Sequence, residues 1–156
     1  MYTGENMLVY PQQYKISVKD NSRGFQFGNF RYIFKQTPLS FGDDGYINEI
    51  HISTCDDRSV TKLRFNTNYA MDMYRAFINI IQTRDSFDMG TQFNSNSEVS
   101  RIYGCYDFAN KNYIIEIEKE ETYLGNKSII KLVMDDDDFR EFVFLFYFHF
   151  LIALIG

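Results

Sequence analysis

Alternating apolar and polar residues predict strands in the first 65 residues of the chain. Residues 14–19 alternate as a strand with one buried face does. A phenylalanine-rich run over residues 25–35 predicts a second strand, and Gly28 within it indicates a bulge or bend. Residues 46–54 and 59–65 predict a third and a fourth strand.

The period becomes helical after residue 65. Asn66, Thr67 or Asn68 is suited to cap a helix that ends near Arg84. Apolar residues then recur at spacings of three and four, namely Ala70, Met73, Tyr74, Phe77, Ile80 and Ile81. We expect this stripe to cover one face of the four-stranded sheet and to leave the other face available for function.

The pattern begins again in the second half. Residues 85–100 are polar and have the composition of a linker. Strands are predicted at 101–108, 113–119 and 128–133, followed by a helix from Asp135. A fourth strand in this half lies either before Ser100 or at 122–124.

The chain is therefore predicted to be an α+β protein. A ββββα repeat over about residues 10–84 precedes a degenerate βββ(β)α repeat over about 101–156. The antiparallel sheets are expected to pack with the C-terminal helix of each repeat. A length of 156 residues is that of one domain, so a single domain over 1–156 is predicted.

The chemistry of the side chains narrows the function. The two cysteines lack CxxC spacing, and neither His51 nor His149 belongs to a recognisable metal-ligand motif. The run Asp135–Asp138 could suggest a metal cluster but is explained more simply by the start of a helix. Elsewhere no nucleophile–base set, paired carboxylates or phosphate-binding loop is recognisable, so no enzyme, cofactor or metal is expected. The first residues lack the features of a secretion signal, which favours an intracellular location in cytoplasm or nucleus.

Charge is distributed unevenly. The whole chain has a formal charge of −5. Residues 10–84 hold ten Lys and Arg against seven Asp and Glu, whereas residues 85–156 hold six against thirteen. Because binding to nucleic acid depends on the local field, the first half is the better candidate surface.

The segment over residues 19–27 carries the main functional signal. In an extended strand Lys19, Asn21 and Arg23 would project to one side, placing an amide between two phosphate-binding cations. Phe25 and Phe27 follow and are candidates for stacking on bases. An ordinary polar hairpin turn explains the same composition.

This segment resembles the K-E-N-x-R-G segment of PUR repeats, the fold of the PUR-alpha proteins. The resemblance covers about residues 10–83 and includes residues 74–77, which are similar to the terminal helix of that family. It implies two repeats intertwined through their helices, with Lys19, Asn21 and Arg23 contacting single-stranded DNA or RNA. The second half lacks KxNxR and has Asn-Lys-Asn at 110–112, so only the first repeat is expected to bind.

Other families fit parts of the chain. Residues 23–30 partly match the aromatic octamer of the RRM and a cold-shock element, but no helix is predicted before them as an RRM requires. Whirly proteins share the sheet-plus-helix repeat and are a close structural alternative. On the strand that follows, Arg31 and Lys35 are expected to contact the nucleic-acid backbone, while the interleaved aromatics fill the core.

The C-terminal segment 142–155 is apolar around its whole circumference except at His149. Its fourteen residues favour burial between the repeats or in a homodimer interface over a membrane-spanning tail, which needs about 20 residues. The main hypothesis is a non-catalytic single-stranded nucleic-acid-binding protein. The alternative is a protein-interaction or assembly module, membrane-associated through this aromatic helix.

Overall fold

Two antiparallel sheets, each followed by a helix, make up the described part of the protein. The computed structural model describes residues 13–17, 22–38, 46–54, 60–95 and 97–152. The first sheet contains, in spatial and sequence order, β1 (Gln13–Ser17), β2 (Ser22–Phe27), β3 (Phe30–Pro38), β4 (Tyr46–Thr54) and β5 (Val60–Phe65). The second contains β6 (Phe87–Ser95), β7 (Glu98–Asp107), β8 (Asn112–Glu121) and β9 (Asn126–Asp135). Helices α1 (Thr67–Thr83) and α2 (Asp136–Phe150) follow them, which confirms the α+β class.

The first sheet has one more strand than predicted. The run over residues 25–35 is divided between β2 and β3, which are joined by a two-residue turn at Gly28 and Asn29. Gly28 has a φ of 58°, a conformation that glycine adopts without steric cost and that two-residue hairpins require at this position. The glycine therefore marks a chain reversal rather than a bulge.

The segment interpreted as a linker contains β6, which corrects that prediction. Phe87 and Met89 pack against the core from one side of this strand. A register shift between Asp88 and Thr91, with Gly90 at a φ of 77°, interrupts the alternation. The irregular strand loses its period-2 signal, and its polar outer residues give it the composition of a linker.

Both helices begin close to the predicted residues, and α1 also ends where predicted. The Asn66 side chain accepts a hydrogen bond from the Tyr69 amide at 2.8 Å, and Arg84 at a φ of 61° caps the end of α1. The Asp135 side chain accepts from the Asp138 amide at 2.8 Å and caps α2. The acidic residues of the first α2 turn lie at the positive end of the helix dipole.

Helix α2 joins the two sheets through aromatic contacts. The ring of Phe142 lies 5.4 Å from Tyr32 of the first sheet, and Phe139 stacks at 4.5 Å on Tyr113 of the second. Phe146 contacts Phe77 of α1 at 5.5 Å. Buried residues of both sheets and both helices form one cluster, so the inner face of each sheet is occupied by the helices.

Candidate nucleic-acid interface

The first sheet presents its outer face, opposite the helices, to solvent. Along β3, β4 and β5, residues that point into the core, such as Phe34, Ile50 and Leu63, alternate with residues that point outward. Among the described side chains of this outer face, the charged ones are Arg31, Lys35, Lys62, Arg64 and Glu49, together with His51. Four cations and one carboxylate make the described part of this face net positive.

Strand register sets the neighbours on this face. Lys35 lies opposite Glu49, and Glu49 lies opposite Arg64. In the adjacent row His51 lies opposite Lys62. Because neighbouring strands are about 4.8 Å apart, these side chains share one continuous surface.

Glu49 organises two of the basic groups. Its Oε1 lies 3.0 Å from Nε2 of His51. Its Oε2 accepts a hydrogen bond from Nε of Arg64 at 2.8 Å and lies 2.7 Å from Nη2 of the same side chain. Burial of the carboxyl raises its pKa, but the hydrogen bonds and charges of His51 and Arg64 outweigh burial, so the net pKa of Glu49 is lowered. The carboxylate is thus held ionised between its two partners.

The structure separates the residues that the sequence analysis grouped together. Arg31 and Lys35 lie on the outer face as expected. Arg23 is exposed but lies on the opposite side of its strand, beside Phe144 and Phe148 of α2. Lys19 and Asn21 lie outside the described residues, so only the arginine of the KxNxR triplet has a described position.

The expectation that Phe25 and Phe27 stack on bases is not supported by the structure. They are 1% and 5% exposed, and Phe25 packs on Phe34 with ring centroids 5.0 Å apart. A base cannot stack on a ring whose faces are already covered by the core. Both phenylalanines stabilise the fold beneath the candidate surface.

Sequence reasoning missed His51, Lys62 and Arg64. The alternation Lys-Leu-Arg-Phe over 62–65 is the signal that places both cations opposite the buried residues of β5. His51 and Glu49 follow the same rule on β4, where they alternate with Asn48, Ile50 and Ile52. Pairing between β4 and β5 then brings these side chains together.

Metal-binding clusters and membrane-spanning helices are both absent from the residues that the structure describes. Within them, no group of three or more His, Cys, Asp or Glu side chains is arranged to hold a metal ion. Over the same residues, no helix combines the length and the apolar character that a membrane span needs. Helix α2 does carry two exposed aromatic residues, because Phe144 is 54% exposed and Phe148 is 48% exposed.

The fold is similar to those of three solved plant structures. The plant transcriptional regulator PBF-2 matches with a TM-score of 0.54 and 9% identity, over 86% of this chain and 84% of that chain. WHY1 from Arabidopsis thaliana matches with a TM-score of 0.57 and 5% identity, over 86% of each chain. WHY3 from Arabidopsis thaliana matches with a TM-score of 0.53 and 9% identity, over 91% of this chain and 93% of that chain.

These similarities concern the fold alone, because the sequence identities are so low. They support the Whirly-like alternative of the sequence analysis and do not show the PUR-repeat resemblance. No protein-family model and no curated protein sequence matches the chain. The function of this protein must therefore be inferred from its own residues.

Proposed function

We propose that this protein is a non-catalytic binder of single-stranded DNA or RNA, and that the outer face of its first sheet is the binding surface. The observation that carries the proposal is the charge of that face. Arg31, Lys35, Lys62 and Arg64 project from it with Glu49 as the one carboxylate among its described side chains. Such a surface attracts phosphates by releasing their counterions.

The preference for single strands rests on fold and resemblance together. An open sheet face accommodates splayed nucleotides, whereas a duplex hides its bases. The chain shares its fold with a plant transcriptional regulator, whose name is compatible with a nucleic-acid partner. The KxNxR resemblance implies Lys19, Asn21 and Arg23 as further contacts.

Matched lysine pairs test the location of the surface. The variant Lys35→Ala/Lys62→Ala removes two cations from the first sheet, and Lys127→Ala/Lys131→Ala removes two from the outer face of the second. We expect the first pair to weaken binding to an oligothymidine strand by tenfold or more, taking about 1.4 kcal/mol as tenfold. Its salt slope should fall by about 1.4, at about 0.7 for each phosphate contact.

Fluorescence anisotropy at several salt concentrations measures both quantities, with a duplex of equal length as the comparison. The Lys127→Ala/Lys131→Ala control should bind like the wild type. Equal losses of affinity in the two double variants would show that the outer face of the first sheet is not the specific binding surface. Salt-insensitive binding by the wild type, or equal affinity for the duplex, would contradict the proposed function itself.

A second function, assembly with another copy of this chain through α2, is favoured by one observation. Phe144, Phe148 and Ile152 are spaced by four residues and are all exposed, and the two phenylalanine rings lie 5.3 Å apart. Light scattering should report a dimer that Phe144→Ser/Phe148→Ser converts to a monomer. A monomeric wild type would contradict self-assembly, and recovery only with detergent would instead support membrane association.

A further inference from the structure

Glu49 is a carboxylate placed where it reduces the positive charge of the proposed binding face. Its residue surface is only 9% exposed, and both of its oxygens are engaged, one by His51 and one by Arg64. A carboxylate that served only solubility would be solvated rather than enclosed. The position of Glu49 therefore suits a residue that fixes the orientation of His51 and Arg64.

The hydrogen bonds define the orientation of Arg64. Its Nε donates to Oε2 of Glu49 and its Nη2 lies 2.7 Å from the same oxygen, so the guanidinium edge that carries both nitrogens faces Glu49. The Arg64 side chain remains 48% exposed and that of His51 24% exposed. Two planar groups are thus held in place while part of each surface faces solvent.

None of the described outward side chains of this face is a phenylalanine or a tyrosine, so base stacking on them would use other planar groups. Phe25, Phe27, Tyr32 and Phe34 all lie in the core beneath the sheet. Unstacked bases stack on histidine rings and on arginine guanidinium planes as well as on larger aromatics. His51 and Arg64 have the chemistry and the exposure for that role.

We propose that His51 and Arg64, oriented by Glu49, form a base-stacking platform on the outer face of the first sheet. This inference rests on the proposed function and assigns its base-contacting part, while Lys35 and Lys62 serve the phosphates. Glu49 is a positioning residue. Ordering both planar groups before binding reduces the conformational entropy that binding would otherwise cost.

The variant Arg64→Lys separates stacking from charge, because it keeps the cation and removes the planar group. Binding is measured to an oligothymidine strand and to an abasic strand of the same length and charge. We expect a loss of about fivefold or more on the oligothymidine strand, the lower range for one stacked base. Affinity for the abasic strand and the salt slope should stay unchanged.

The variant Glu49→Gln gives opposite results under the two interpretations. If this face acted only through charge, removing a carboxylate would strengthen binding to both strands. If Glu49 positions the platform, affinity for the oligothymidine strand falls relative to the abasic strand. Thermal unfolding of the variant establishes that it is folded, and His51→Ala supplies a second test if it is not.

Lys62→Ala is the matched control. We expect it to weaken binding to the oligothymidine and abasic strands equally and to reduce the salt slope by about 0.7. In a strand containing one 2-aminopurine, the wild type should quench the fluorescence and Arg64→Lys should quench it less. Equal effects of Arg64→Lys on both strands, or none, would overturn the platform while leaving the proposed function intact. If the wild type bound neither strand, the proposed function would fail first.

Discussion

The outer faces of the two sheets differ in charge, although their inner faces both pack against the helices. Both inner faces are apolar and pack on the helices. On the first sheet, cations surround a single described carboxylate. On the second, cations stand among carboxylates: Arg101, Lys127 and Lys131 with Asp88, Glu116, Glu118 and Glu120.

The carboxylates of the two faces also act differently. Glu49 on the first sheet is buried and contacts His51 and Arg64. On the second sheet Asp88 is exposed and pairs with Arg101, and Lys127 lies 3.0 Å from Glu118. The Arg101 hydrogen bond and that of the Gly90 amide lower the pKa of Asp88 to about 2. Packing constrains only alternate residues of a strand, so the outward residues of the two sheets are able to differ: those described on the first are mostly cations, and those on the second are cations paired with carboxylates.

The largest expected effect tests whether the two sheets form one cooperative unit. Phe142→Ala removes a ring that contacts the first sheet, and Phe139→Ala removes one that stacks on the second. Each should lower the free energy of unfolding by about 3–5 kcal/mol. Chemical denaturation followed by circular dichroism should show a single shifted transition in both variants, whereas two separate transitions would contradict a shared core.

Charge reversal sharpens the contrast between the outer faces. Arg31→Glu/Lys62→Glu on the first sheet should reduce affinity for a single strand on the order of 100-fold, at about tenfold for each lost charged contact. Arg101→Glu/Lys131→Glu is the matched change on the second sheet and should alter affinity by less than about threefold at physiological salt, where distant charges are screened. Anisotropy titrations measure both, and similar losses would remove the functional distinction between the sheets.

A substitution at Gly104, where the second sheet is tightly packed, is expected to have an intermediate effect on stability. A Cβ at Gly104 would lie 2.6 Å from Cε2 of Phe87 and 2.8 Å from Cδ1 of Ile115. Gly104→Ala should therefore cost about 1–3 kcal/mol in thermal unfolding experiments. Cys105→Ala, at the exposed neighbouring residue, should change stability by less than about 0.5 kcal/mol; a neutral Gly104→Ala would show that Phe87 repacks freely.

The smallest expected effect concerns pH. The pKa of Glu49 is lower in the folded than in the unfolded protein, so its contribution is complete above the unfolded value of about 4.3 and is lost as pH falls through the folded value. Glu49→Gln should destabilise by about 1–2 kcal/mol at pH 7, and this difference should shrink toward pH 3. Denaturation at both pH values measures it.

Asp88→Asn provides the contrasting change at an exposed ion pair, and we expect it to have little effect on the unfolding temperature at pH 7. A Glu49→Gln difference that is independent of pH would contradict an ionised, partner-held carboxylate. These two variants therefore compare an enclosed and an exposed carboxylate on the two sheets.

Local sequence signals predicted the regular elements well. The cap at Asn66, the apolar stripe of α1 and the start of α2 at Asp135 follow from side chains close together in the chain. Strand β6 was not predicted because a register shift interrupts its alternation of apolar and polar residues. Strands β2 and β3 were predicted as one strand because no long polar segment separates them. In both places a glycine with positive φ marks the irregularity, and its meaning depends on strand pairing.

The candidate site was predictable only in part. Alternation along β3 indicated Arg31 and Lys35, and the same rule applied to β5 would have indicated Lys62 and Arg64. The sequence could not show which face of β2 the helices cover. Phe25 and Phe27 could equally serve a core or stack on bases until α2 was seen to pack on their side.

The amino-acid sequence by itself determined the α+β class, the two helices and the positive charge of the first half, because periodicity, capping and composition are local properties. Tertiary structure decided the rest. It brought Arg64 of one strand to Glu49 of the next, and it turned Arg23 toward α2. Contacts between residues distant in sequence depend on register and on which face is buried, and neither is encoded in any short segment.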